Sequence, residues 1–176
     1  MRIKAIAGAL MLLGLVFAAS GLRGAQQPKK DYLTDAEADK IRDAERNTSL
    51  KIRLFVGFAD DRIAKFKYTL AHPTEDRRRP EILNGLLNEY GACMDDAADL
   101  IDVARERQQD IRSGLKAIQT KGKEFLAYLQ ELAKSGPELE TYKTNLDDAI
   151  EATQDAVSDA EKALKELSSA PVRRKQ

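Results

Sequence analysis

From Leu83 to Ala104, apolar residues recur as Leu83, Leu86, Tyr90, Cys93, Ala97, Leu100 and Ala104, in alternating steps of three and four. After Gln108 the rhythm resumes through Ile111, Leu115, Ile118, Gly122, Phe125, Leu129 and Leu132. Such steps place side chains on one face of an α-helix, and so long a stripe has to be buried against other helices. Two successive steps of four at Ala104 and Gln108 form a stutter, which locally straightens a supercoil. No proline lies between Pro80 and Lys134, so residues 80–134 are read as one 55-residue helix. At the α-helical rise it is ~80 Å long.

Two shorter stripes flank it. Residues 50–71 carry Ile52, Val56, Ala59, Ile63, Phe66 and Leu70, and residues 138–168 carry Leu146, Ile150, Thr153, Val157, Ala160, Leu164 and Leu167. His72-Pro73 ends the first helix, and Ser135-Gly136-Pro137 separates the middle helix from the last. Ala149, Ala156 and Ala163 lie beside the last stripe, where a neighbouring helix can approach closely. The combined length of the flanking helices matches the middle one. The expected fold is therefore all-α: an antiparallel bundle or hairpin with a long central helix over about 80–134, packed by helices at about 50–71 and 138–168. The competing arrangement is a compact four-helix bundle, with the long helix broken at Ser113-Gly114. Tyr90, Cys93, Leu100, Leu115, Phe125 and Leu129 are the expected structural core.

The N-terminus reads as a targeting segment. Arg2 and Lys4 precede an apolar run, and small residues follow at Ala18, Ala19 and Ser20. Ala5 to Ala19 is 15 residues, short of a ~30 Å hydrocarbon core. Residues 1–25 are read as a cleaved signal peptide leading to the periplasm or the outside. Extension to Leu22 gives 18 residues and the alternative of an uncleaved inner-membrane anchor. No cysteine lies near the cleavage region, so no lipid anchor is expected. Residues 26–33 are read as a flexible leader, 34–168 as the helical domain and 169–176 as a disordered basic tail.

Thr34 and Glu37 form the pattern of a capping box, which opens a short first helix running to about Arg46. Leu33-Thr34-x-x-Glu37 resembles the Leu-Thr-x-x-Gln motif of small periplasmic helical chaperones over five residues, with Glu for Gln and in one copy rather than two. Capping accounts for the pattern, and nothing further is carried over from the resemblance.

The chemistry-bearing residues are sparse. The chain has one histidine, one cysteine and no tryptophan, with no glycine-rich phosphate loop. This offers no triad, zinc set or nucleotide cradle, so no catalytic, metal or cofactor residues are assigned and the protein is read as non-catalytic. Basic and acidic residues balance at 29 each, which argues against nucleic acid. Cys93 shares the apolar face with Tyr90 and Ala97, its turn-mates Glu89 and Asp96 are acidic, and an inert core thiol is expected. Acidic stripes at Asp95, Asp99, Asp102 and Glu106, and at Asp148, Glu151, Asp155 and Asp159, are read as solvated faces. Arg77, Arg78 and Arg79 stand before a helix N-terminus and are the one candidate anion-binding cluster. The function expected is protein binding in the cell envelope, as scaffold, adaptor or chaperone-like factor. A membrane-anchored coiled-coil adaptor and a small-ligand-binding bundle are the alternatives.

Overall fold

The structure, a computed structural model, describes residues 30–169. The segment read as a signal peptide, the leader up to residue 29 and the tail beyond Ser169 lie outside the described residues. Five helices follow one another: α1 (Asp35–Asp43), α2 (Thr48–Ala71), α3 (Arg79–Glu106), α4 (Arg112–Ser135) and α5 (Leu139–Ser169). Among the described residues there is no strand, and no helix is long and apolar enough to cross a membrane.

The 55-residue helix expected over 80–134 is two helices. α3 stops at Glu106 because Gln108 takes the left-handed conformation, φ 51. There the Gln109 N–H bonds back to the Ala104 carbonyl at 2.9 Å and the Gln108 N–H to the Arg105 carbonyl at 3.2 Å. This is the Schellman arrangement, which satisfies the last carbonyls of a helix and reverses the chain. It is usually built on glycine, and Gln108 hides it. What looked like a stutter is the gap between two separate stripes.

Ser113-Gly114, where the compact alternative placed the break, lies inside the first turn of α4. Gly114 serves a close approach instead, since a Cβ there would stand 3.0 Å from the Ile52 Cβ of α2. Ile111, the N-cap of α4, supplies no side-chain hydrogen bond. The orphan donors are satisfied from elsewhere: Asp110 Oδ1 accepts from the Arg112 N–H at 3.1 Å, and Ser49 Oγ of α2 accepts from the Gly114 N–H at 3.0 Å.

The body is thus a four-helix bundle with α1 added outside it. α2 and α5 each pack on both α3 and α4, and the pairs α2/α5 and α3/α4 face each other across the diagonals. α3 and α5 run parallel: Asn145 Nδ2 donates to Asn84 Oδ1 at 2.8 Å near their starts, and Arg105 pairs with Glu166 at 3.2 Å near their ends. α2 and α4 are parallel too, from the Ile52–Gly114 contact to Lys67, which lies 4.2 Å from the centre of the Tyr128 ring.

Two aromatic pairs fill the axis. Phe66 meets Tyr142 edge-on with centroids 5.2 Å apart, and Tyr90 meets Phe125 in the same way at 5.5 Å, one pair across each diagonal. Both tyrosine hydroxyls find partners, Tyr90 with Thr153 Oγ1 at 2.6 Å and Tyr142 with the Pro137 carbonyl at 2.6 Å.

Of the expected core residues, Tyr90, Cys93, Leu115, Phe125 and Leu129 are buried, while Leu100 is half-buried on the rim and Ile101 takes the inward place. Leu86 and Leu87 show the same exchange. α3 packs on two neighbours at once, so its buried face is wider than one stripe and is centred between the two registers.

Candidate functional site

Arg62 is the most deeply buried charge among the described residues, with a relative exposure of 2%. On α2 it occupies an inward position between Phe58 and Phe66, where the amphipathic pattern calls for an apolar side chain. Three elements supply its partners. Glu37 of α1 accepts from both terminal nitrogens, one of the two contacts measuring 2.8 Å. Glu89 of α3 accepts from Nε at 3.0 Å, and the Tyr32 carbonyl accepts from Nη2 at 3.0 Å. Asp61 stands at 3.3 Å. A buried guanidinium requires such a set, since its desolvation is otherwise uncompensated.

Glu37 also closes the capping box foreseen from the sequence. It accepts the Thr34 backbone N–H at 2.9 Å, while Thr34 Oγ1 accepts the Glu37 N–H at 3.2 Å. Hydrogen bonding to Arg62, ahead of the opposing effect of burial, holds the Glu37 carboxyl at about 2. The segment ahead of α1 is tied down as well: Leu33 is buried, and Lys30 pairs with Asp96 of α3. Burial raises the Asp96 carboxyl against the pull of Lys30, and its second oxygen has no hydrogen-bond partner.

Cys93 lies beneath this cluster. Burial pushes its thiol up to about 12, with Arg62 and Lys30 pulling the other way and Glu37 and Glu89 reinforcing the rise. The sequence reading placed only carboxylates near it. The cation comes from α2, but desolvation outweighs it and the thiol stays protonated.

The three consecutive arginines are not brought together as an anion site. Arg79 turns inward, binding Glu138 through Nε at 3.0 Å and Nη2 at 2.8 Å and the Thr69 carbonyl through Nη1 at 2.6 Å. It joins the end of α2 to the α4–α5 turn, where Glu138 sits at φ 57. Arg77 and Arg78 are exposed, and Arg78 pairs with Asp76 at 3.6 Å. On α3 and α5, Asp95, Asp99 and Asp155 are exposed. Among the described residues no group of three or more His, Cys, Asp or Glu side chains is arranged to hold a metal ion.

A shallow, open apolar groove lies between α2 and α3, lined by Ala64, Lys65, Tyr68, Thr69, Ile82 and Leu86. Tyr68 at 66% and Ile82 at 42% are the exposed large hydrophobic residues of the described chain. Tyr68 stacks on His72, with ring centroids 4.1 Å apart, which fixes the phenol at the rim. Sequence reasoning missed Tyr68 and Ile82 because both lie off the stripe. Arg62 was missed because charged positions were read as surface, although its phase between Phe58 and Phe66 marked it. In comparison with known proteins, no family model, no curated protein and no solved structure matches this chain.

Proposed function

We propose that this chain is an exported, non-catalytic helical protein that acts by binding another protein, as a scaffold, adaptor or chaperone-like factor of the cell envelope. The observation that carries the reading is the Tyr68–Ile82 groove. Two large apolar side chains stand exposed side by side over Leu86, on a bundle whose other large apolar residues are buried or half-buried. Aromatic anchors at a concave apolar site are what protein interfaces concentrate their energy on. The export half of the reading rests on the pattern of residues 1–25. Against the small-ligand alternative stands the filled axis: folding back has made the bundle compact, yet the Phe66–Tyr142 and Tyr90–Phe125 pairs occupy its centre.

Site-specific photocrosslinking in the native host tests the proposal. A photoreactive residue at Ile82 or Tyr68 is expected to give a discrete protein adduct, and one at exposed Glu151 of α5 is not. Equal labelling at all three positions overturns the reading.

A further inference from the structure

The α1 seat and the Tyr68–Ile82 groove are consecutive stretches of one furrow. On α2, Phe55, Phe58, Arg62, Lys65 and Thr69 step by three, four, three and four, so they share a face. On α3, Asp96, Cys93, Glu89, Leu86 and Ile82 do the same in the opposite direction. The N-terminal segment covers the lower part of this furrow: Lys30 reaches Asp96 and lies 5.9 Å from the centre of the Phe55 ring, while Glu37 reaches Arg62. α1 runs antiparallel to α2, so its N-terminus points toward Tyr68. From Asp96 to Ile82 the furrow is ~21 Å long, whereas the nine residues of α1 span ~14 Å. The upper part is left open.

Three features make α1 a detachable occupant rather than a fifth pillar. It packs on α2 and is too short to hold its helix by itself. The core aromatic pairs come from α2 to α5 and do not use it. Most telling is Arg62: when Glu37 leaves, Glu89 and Asp61 still face the guanidinium. Opening therefore does not strand a bare buried charge, the usual reason such a pair cannot break.

Resting on the proposed protein-binding role, we infer that the α2–α3 furrow is the binding site and α1 its resident ligand in cis. The partner is an amphipathic helix that brings a carboxylate to Arg62 in place of Glu37 and lays apolar side chains over Leu86 and Ile82. Such a helix is longer than α1 and buries what α1 leaves open, and that difference drives the exchange.

The probe is a fluorescent peptide of residues 30–47, added to the exported protein and to its Glu37→Arg variant, whose own α1 is repelled by Arg62. The variant is expected to bind at least tenfold more tightly than the wild type, because the closed fraction of the wild type subtracts from its apparent affinity. The same peptide carrying Arg at position 37 is expected to bind neither. A peptide in which two leucine-bearing helical turns replace residues 30–33, so that the helix continues ahead of Thr34 toward Ile82, is expected to gain affinity, and Ile82→Asp to abolish that gain. Should Glu37→Arg fail to fold, Glu37→Gln carries the comparison with the same ordering and a smaller gap. Equal binding by folded variant and wild type overturns the inference. So does a peptide-free dimer of the wild type in light scattering, which assigns the seat to α1 of a second copy. Photocrosslinks at Ile82 that persist in either case leave the protein-binding role standing and remove only the exchange.

Discussion

Ser49 Oγ accepts the backbone N–H of Gly114 at 3.0 Å, so the first turn of α2 caps the first turn of α4. The same oxygen meets Ser113 Oγ at 2.7 Å. α4 has no side-chain cap at its own N-cap residue, so this contact between helices does the work of one. Ser49→Ala is expected to cost about 1 kcal/mol, as loss of an N-cap does, measured by urea denaturation. An unchanged midpoint means that solvent caps α4 equally well.

Helical glycines in this chain carry opposite signs. A Cβ at Gly122 would stand 2.4 Å from Val157 Cγ2, whereas nothing lies within 4 Å of one at Gly57. Gly122→Ala therefore overpacks the α4–α5 contact and is expected to cost about 1–3 kcal/mol. Adding Val157→Ala should recover part of that loss. Gly57→Ala only removes a poor helix former and should stabilise by about 1 kcal/mol. Thermal melts of the three variants against the wild type check the pattern.

Gln108 holds a left-handed conformation that costs an L-residue about 1–2 kcal/mol. Glycine is free of that penalty, but loses about 0.5–1 kcal/mol through its looser unfolded chain. Gln108→Gly is therefore expected to raise stability by up to ~1 kcal/mol, and Gln108→Val to lower it. A destabilised glycine variant would show that Gln108 contributes through its side chain.

Acid should release α1 before it unfolds the bundle. The Glu37 carboxyl titrates at about 2 in the fold against 4.5 when free. A depressed carboxyl contributes its full stabilisation above the free value and loses it as pH falls from about 4.5 toward 2. Around it stand Arg62, Glu89, Asp61, Lys30 and Cys93. Asp96, raised by burial, acts in the opposite sense, since acid relieves its desolvation. Hydrogen exchange corrected for intrinsic rates should show protection of α1 lost between pH 5 and 2.5 while α2–α5 stay protected. Glu37→Gln should remove that pH dependence.

Much of the architecture was legible because it is local. The apolar steps of α2, α4 and α5, the Thr34–Glu37 capping box and the stop at Gly136 all lie within one or two turns of chain. The exception is the end of α3, where a glutamine adopts the conformation expected of glycine. The candidate site was harder to see. Tyr68 and Ile82 are ordinary surface letters until α2 and α3 are placed side by side.

By itself the sequence determined that the described chain is helical, which faces of α2, α4 and α5 are buried, and that Cys93 is a core thiol. Periodicity and capping act over four residues, and burial follows from them. Only the tertiary structure decided the rest: that the middle helix folds back at Gln108, that Arg62 gathers carboxylates from α1 and α3, that Arg79 turns inward to Glu138, and that a furrow stays half open. Each depends on groups tens of residues apart, whose desolvation and pairing exist only once the helices have packed.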